Sequence, residues 1–451
     1  MIRELALSVA PGEVRGALLE DGIPVELLLE RDGAGSLVGA VFLGRVARLA
    51  PSLPGAFVEL GLARPAFLPG GAGLVEGQSL LVRVTKDGFA DKAPEVTTGL
   101  EFEGRWAVWT PARPGIAVSR RIAAAERARL SESLAGLVRP GEGVVLRSHA
   151  GGVSAGDLAA EVGLLRQAHG ALLQRSETAQ TPSRLDPVED ALRRIAARLD
   201  SGIERIVIDD RAALARLRSA TAVPIEFDGT PGFAERHGLA DSFEAALAIR
   251  LPLEGGGDVA IEETAAFTAI DVNLGTAASG RDRAAQAILA VNLAAASLVA
   301  RQLRLRNIGG AVVVDFISMA SREHRRMVEA AFVAATAADP RPAQVLGWTR
   351  LGHLELTRRR TSPSIGQRML VPAGGRRAKS AETVALELLR LLAGGSFRPG
   401  RLTLHVHDSV AAQLTGGLAD ALAAAATAAG RTVSITVGQL RDPETFDIAE
   451  A

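Results

Sequence analysis

The chain has 451 residues, too many for one small hydrophobic core, so about two to four domains are expected. Hydrophobic side chains make up 47% and charged ones 23%, ordinary for a globular protein, and 51 basic residues balance 51 acidic ones, so no global field advertises a polyanionic partner. The chain contains no cysteine, which excludes disulfides, thiolate zinc sites and thiol nucleophiles together and leaves any metal to oxygen or imidazole ligands.

The N-terminus, MIRELALSVAPGEV, carries Glu4 early and lacks a continuous apolar stretch, so it does not read as a signal peptide. No apolar run approaches the roughly 18 residues of a membrane span. A cytoplasmic protein is the resulting expectation. Lys86, Lys92 and Lys379 are the only lysines; every other basic side chain is arginine, whose planar fork suits phosphate and stacked bases, although a GC-rich genome produces the same bias.

Residues 1–34 alternate short apolar runs with the turn signals APGEV, EDGIP and ERDGAG, which predicts a hairpin or meander. From 35 to 98 many short strands follow (LVGAVFLGRVARLAP, GAFVELG, PAFLPG, QSLLVRVTKD), the rhythm of a small β-barrel. Between 99 and 200 the strands RWAVWTPA and GVVLRSHAGG alternate with the amphipathic helices AAERARLSESLAGLV and SAGDLAAEVGLLRQAHGALLQR, with Ser154 as N-cap of the second. IERIVIDD and RAALARLRSA predict a buried strand and a helix within 201–250. From 258 to 349 the order is strand, strand, long helix, strand, helix, strand, an α/β layer.

Residues 341–379 place nine basic side chains against the single acid Glu355, a local charge of +8. Within this stretch TSPSIGQRMLVPAGG predicts a linker. From 380 a helix (AETVALELLRLLAGG), a strand (RLTLHVH), a second helix and a second strand suffice for a small α/β domain.

Asp271 in AFTAIDVNLG and Asp315 in AVVVDFISMA each end an apolar strand, and a helical crossover joins the two. Such strands run parallel, so their C-terminal ends share the sheet edge at which ligands usually bind. Burying an unpaired charge is expensive, and two adjacent carboxylates repel, so a shared proton or a cation between them is required. Without thiolates that cation is a hard one, most simply Mg²⁺. Asn273, two residues past Asp271, shares its strand face. A metal held this way serves phosphodiester hydrolysis. The same placement also suits helix-capping aspartates or arginine ion pairs.

AFTAIDVNLG, VNLAAASLVARQLRLRNIGGAVVVDFISM and WTRLGHLELTRRRTSPSIG together strongly resemble the catalytic region of the ribonuclease E/G family of bacterial endoribonucleases. GAFVELGLARPAFLP resembles that family's RNA-binding barrel, and LTLHVHDSVAAQL to DPETFDI its small C-terminal domain. The resemblance implies an α/β multidomain fold. A ribonuclease-H-like layer, 1–34 and 201–250, is split around an OB-fold barrel at 35–98 and a 5′-sensor region at 99–200. A deoxyribonuclease-I-like catalytic subdomain at 251–364, a linker at 365–379 and a small domain at 380–451 follow.

Carried over residue by residue, the resemblance makes Asp271 and Asp315 ligands of a catalytic Mg²⁺, for which Mn²⁺ can substitute, with Asn273 supporting the site. Phe57, Phe67 and Lys92 match the aromatics and lysine that cradle RNA; read without the resemblance, both phenylalanines are core candidates. Arg147 and Ser148, with Val118 and Arg120, match the pocket for a 5′ monophosphate, although Arg147 on its own also reads as a surface ion pair. Arg350, Arg358 and Arg360 are expected to steady the RNA backbone.

Two departures stand out. Where the family carries a Cys-Pro-x-Cys zinc link between subunits, this chain reads RMLVPAGGRRAKS, so zinc-linked dimerisation is excluded and the oligomeric state is open. A glutamate expected before the first aspartate strand is Ala265, and an aspartate expected after Asp315 is Ser318, which predicts weaker metal binding. The expected function is Mg²⁺-dependent cleavage of single-stranded RNA favouring 5′-monophosphorylated ends, in RNA processing or decay. A catalytically weak RNA-binding homologue and an assembly role in ribosomal RNA maturation are the alternatives.

Overall fold

The computed structural model describes residues 2–32, 37–50, 54–62, 64–70, 73–88, 93–186, 191–198, 202–221, 223–254, 256–275, 281–360 (backbone only at 281–283), 362–395, 397, 398, 400–438 and 442–450. The chain forms two compact units, one of residues 36–188 and one of residues 1–35 with 189–451.

The second of these begins with a meander, β1 (Arg3–Ala10), β2 (Glu13–Glu20) and β3 (Ile23–Arg31). Gly12 and Gly22 turn between the strands with φ of +83° and +81°, a region glycine enters without a Cβ penalty.

The 36–188 unit follows. Strands β4 (Val41–Leu49), β5 (Gly55–Glu59), β6 (Ala66–Pro69), β7 (Ser79–Lys86) and β8 (Glu95–Thr97) close into a five-stranded barrel, because β4 pairs with both β5 and β7. An OB-like fold is consistent with that closure, and Phe42, Val58, Leu60, Leu68, Val82, Val84 and Val96 fill its interior. Next come β9 (Phe102–Glu103), β10 (Ala107–Thr110), β11 (Gly115–Val118), α1 (Ala124–Ala135), β12 (Gly143–Leu146) and α2 (Ala155–Thr178). The strands form a sheet in the order β11-β12-β10-β9, with Trp109, Val144 and Leu146 buried against Leu130 and Leu134 of α1 and Leu158 and Val162 of α2. Ser154 caps α2, its side chain accepting from the Asp157 N–H, as its position in the sequence predicts. The short β13 (Ser183–Arg184) then pairs with β4.

The chain returns through α3 (Ala191–Arg198), β14 (Arg205–Ile208), α4 (Arg211–Arg218) and β15 (Ile225–Phe227). β14 pairs parallel with β1, which gives a five-stranded sheet in the order β15-β14-β1-β2-β3. Ala191, Leu192 and Ile195 of α3 pack with Leu5, Leu7 and Ile206, so α3 belongs to this sheet and not with the 99–200 segment that precedes it in sequence.

After α5 (Phe233–Arg236) and α6 (Leu239–Leu247) come β16 (Arg250–Pro252), β17 (Asp258–Glu263), β18 (Thr268–Asn273), α7 (Arg281–Leu305), β19 (Gly310–Asp315), α8 (Arg322–Thr336), β20 (Gln344–Trp348) and β21 (Leu354–Arg358). The sheet order is β16-β17-β18-β19-β21-β20. Among the described residues of this sheet β18 and β19 alone run parallel, joined by α7 as crossover, as the strand–helix–strand reading predicts. Residues Ala284–Leu305 are long and apolar enough to cross a membrane, yet Val291, Ala295, Ala296, Val299 and Leu303 of this helix are buried in the core shared with the sheet and α8, so it is no clear membrane span.

The expected linker is ordered structure: α9 (Ile365–Met369) and the hairpin β22 (Leu370–Ala373) and β23 (Arg376–Lys379). Ser364 and Gln367 form a capping box, and Ile365 and Met369 are buried with Leu27 and Leu29. The last domain comprises α10 (Ala381–Gly394), β24 (Arg401–Val406), α11 (Asp408–Thr415), α12 (Ala419–Ala429), β25 (Thr432–Val437) and β26 (Asp447–Glu450), with the sheet order β25-β24-β26. Its helix α10 is tied to the first sheet by charge: Arg31 bonds Glu13, Glu382 and Thr383, and Arg390 bonds Ser8 and Glu13.

Candidate active site

Side chains alternate along β17, β18 and β19, so each strand has one face toward the helices and one away. Val259, Ile261, Ile270, Val272, Val312 and Val314 point into the helix-packed core. The other face carries Glu262, Asp271, Asn273, Asp315 and, on β21, Glu355. Asp271 and Asp315 are register partners across the parallel pair, on strands about 4.8 Å apart.

Both carboxylates are exposed, Asp315 with 60% of its side chain open to solvent. Although two apolar strand ends suggest burial, the charges stay hydrated and no burial cost arises. Neither aspartate caps a helix or pairs with an arginine among the described residues. Asn273 Nδ2 donates to Asp271 Oδ2 at 3.0 Å and to Asp258 Oδ1 at 3.3 Å, and Arg250 holds Asp258 at 2.7 Å. His353 Nε2 lies 3.8 Å from Asp315 Oδ2. Asp258 and His353 went unnoticed in the sequence because only strand register and the β20–β21 turn bring them to this edge.

Among the described residues no three or more His, Asp or Glu side chains cluster as metal ligands. The donor set nevertheless fits a small hard dication, since Mg²⁺ usually takes one or two carboxylates and keeps several waters. Gly257, in the turn before β17, has φ of +90°, and a Cβ there would lie 2.2 Å from the Asn273 carbonyl oxygen, so a glycine lets this turn pass close behind the Asn273 backbone.

Ala265 sits in the turn at the opposite end of β18, six residues before Asp271. Ser318 is exposed three residues beyond Asp315.

The basic stretch is mostly structural. Arg358 is 1% exposed, bound to Asp339 at 2.8 Å and to the Ile308 carbonyl, so it is unable to reach RNA. Arg360 donates to the Gly309 carbonyl at the start of β19, the end of the sheet away from Asp315. Arg341, Arg377 and Lys379 pair with Glu26, Glu263, Glu244 and Glu387. Of the three arginines expected on RNA, Arg350 alone is exposed at the aspartate edge, in the turn closed by the Thr349 N–H to the His353 carbonyl.

On the barrel, Phe57 and Phe67 are register partners on β5 and β6 and face outward, half-buried, with ring centroids 5.6 Å apart. The Arg48 guanidinium stacks 4.2 Å from the Phe57 centroid, a contact absent from the sequence reading. Lys92 lies outside the described residues.

On the β9–β12 sheet, Val118 pairs with Leu146, so Arg120 follows one strand end and Arg147 and Ser148 follow its parallel neighbour. Ser148 and Arg120 are exposed, and Val118 leans into the core below. Arg147 is not free: its Nη2 forms an ion pair with Glu103 Oε2.

The model of the Ribonuclease E/G family matches residues 101–361. The chain is 30% identical to Ribonuclease G of Salmonella typhimurium (strain SL1344) and to Ribonuclease G of Escherichia coli (strain K12), in each case across 99% of both chains. It is 29% identical to Ribonuclease E of Escherichia coli (strain K12), over 90% of this chain and 42% of that longer protein.

Proposed function

The chain belongs to the ribonuclease E/G family, and on that premise we propose that it is an endoribonuclease of RNA processing or decay, cleaving single-stranded RNA by divalent-metal-dependent phosphodiester hydrolysis in the cytoplasm. One observation carries the reading: Asp271 and Asp315 are register partners with both carboxylates open to solvent.

In this reading Asp271 and Asp315 would hold a Mg²⁺, with Mn²⁺ as a substitute. Such an ion supplies Lewis-acid polarisation of a phosphoryl oxygen and a more acidic water. Asn273 fixes the Asp271 carboxylate through its amide N–H and presents its own amide oxygen away from that bond. Arg350 meets the phosphate backbone as it crosses the sheet edge, where a guanidinium fork matches phosphate oxygens. Bases stack on Phe57 and Phe67, a contact every base can make. Arg147 and Ser148 take a 5′ monophosphate, which gives 5′-monophosphorylated RNA its preference. The five-stranded order β15-β14-β1-β2-β3 supports a ribonuclease-H-like reading of the first sheet, and the one-sided helix packing of the β16–β21 sheet suits a deoxyribonuclease-I-like subdomain.

Cleavage of a fluorescent, 5′-monophosphorylated AU-rich oligonucleotide tests the reading. Activity should vanish in EDTA and return with Mg²⁺ or Mn²⁺. Undiminished cleavage in EDTA overturns metal dependence, and no cleavage under any ion favours the RNA-binding homologue.

A further inference from the structure

The face of the β9–β12 sheet turned away from α1 and α2 carries a row of register partners, Glu103 on β9, Val108 on β10 and Val145 on β12. Arg147 comes two residues after Val145 and therefore continues on that face, with its own N–H donated to the Trp106 carbonyl. Strand register thus delivers Glu103 to Arg147, and the two side chains close an ion pair. Among the described residues Glu103 is the one carboxylate paired with this guanidinium, and no other side chain holds the Glu103 carboxylate. Both partners are solvated, Glu103 with 63% and Arg147 with 35% of the side chain exposed.

We propose that Glu103 is a specificity-determining residue, an internal anion that occupies Arg147 and competes with the RNA 5′ phosphate for it. The inference rests on the reading in which Arg147 takes that phosphate. A phosphate monoester near neutral pH carries about −1.5 to −2 charges against one on glutamate. It also matches a guanidinium fork at least as well, so it can displace the carboxylate. Exposed ion pairs are weak and easily broken. Displacement still has a cost: the Arg147 contact to Glu103 is lost, and the displaced carboxylate remains beside the incoming phosphate and repels it. Glu103 therefore sets the 5′ preference below the value that Arg147 and Ser148 alone would give.

The competing idea, that Glu103 only orients Arg147 for phosphate, predicts the opposite sign, and this makes the inference testable. The measurement is kcat/KM on the full-length protein for one AU-rich oligonucleotide carrying either a 5′ monophosphate or a 5′ hydroxyl. Wild type, Glu103→Gln, Arg147→Gln and the double variant are compared. Glu103→Gln keeps the side-chain shape and removes the charge. It should raise the monophosphate-to-hydroxyl ratio about two- to fivefold, the size of one exposed ion pair, chiefly through KM. Raising the salt concentration should shrink that gain. Arg147→Gln should bring the ratio close to one, and the double variant should match it, because without Arg147 there is nothing to compete for.

An unchanged or lowered ratio in Glu103→Gln, with Arg147→Gln still lowering it, overturns the competition and leaves Arg147 as the phosphate-reading residue. A ratio unaffected by Arg147→Gln overturns both. Thermal melting of Glu103→Gln close to wild type confirms that the ratio reports the site and not the fold.

Discussion

Asp271 and Asp315 lie side by side near the C-terminal ends of the parallel strands β18 and β19, on a face that no helix covers among the described residues. Their charge is held in water and not in the core, so it is available to an ion and a phosphate without first being exposed. It also follows that neither carboxylate contributes to packing, and neutralising either one should shift stability by no more than about 0.5 kcal/mol.

Arg358 and Arg350 should behave in opposite ways although both belong to the same basic stretch. Arg358→Met leaves Asp339 charged and buried without its partner, a change that costs about 3–5 kcal/mol. A large drop in the denaturant midpoint is therefore expected. Arg350→Gln should leave the midpoint in place and raise KM for RNA, since its guanidinium is exposed at the aspartate edge. Equal midpoints for the two variants would contradict the assignment.

On the barrel, Phe57→Ala and Phe67→Ala should each weaken binding of single-stranded RNA by about 1–3 kcal/mol, as fluorescence anisotropy reads it, because each removes one stacking platform. Their effect on stability should be small next to that of Phe42→Ala, where a fully interior ring is lost at about 3–5 kcal/mol. Unaltered RNA affinity in both ring variants would move the RNA elsewhere.

Gly257→Ala should lower kcat without touching any side chain of the site. The added Cβ meets the Asn273 carbonyl and must displace the strand end that carries Asn273 and, two residues before it, Asp271. Small misplacements of reacting groups cost about 10- to 100-fold in rate. Single-turnover kinetics at saturating RNA check this; a normal rate would show that the strand end tolerates the shift.

Acid should loosen the tie between α10 and the first sheet. Burial raises the Glu13 pKa, and Arg15, Arg31 and Arg390 outweigh it, holding the carboxyl at about 2 against an ordinary 4.5. A carboxylate with a depressed folded pKa contributes stability above its unfolded pKa, and that contribution is lost as pH falls. Stability should accordingly drop from about pH 4.5 toward about 2. Glu13→Gln should start less stable at pH 7, because three arginines lose one of their charged contacts, and should fall less between pH 5 and 3. Parallel pH profiles for the two proteins in urea unfolding would refute the assignment.

How much of this the sequence discloses depends on whether the deciding contact is local. The crossover from Asp271 to Asp315 is legible because apolar strand, long helix and apolar strand follow one another directly, and handedness then fixes the shared edge. Their exposure is not legible: Val313, beside Asp315, is apolar yet lies on the solvent side, so the run AVVVD reads as buried on both faces.

The burial of Arg358 is not legible from local charge, because Asp339 reaches it only in the fold. The order of residues 365–379 is hidden for a different reason. Ser364, Pro372 and the Gly374–Gly375 pair are turn residues in either case, and here they cap a helix and close a hairpin. Glu103, Asp258 and His353 gain their meaning from register alone, and no spacing in the sequence announces them.

The most direct test compares wild type with Asp271→Asn and Asp315→Asn in Mg²⁺, measuring cleavage and binding of the same 5′-monophosphorylated single-stranded RNA. Each substitution should abolish cleavage while RNA affinity and melting temperature stay at wild-type values. Cleavage at wild-type rate by either variant would contradict the assignment of these two strand-end carboxylates as the catalytic centre.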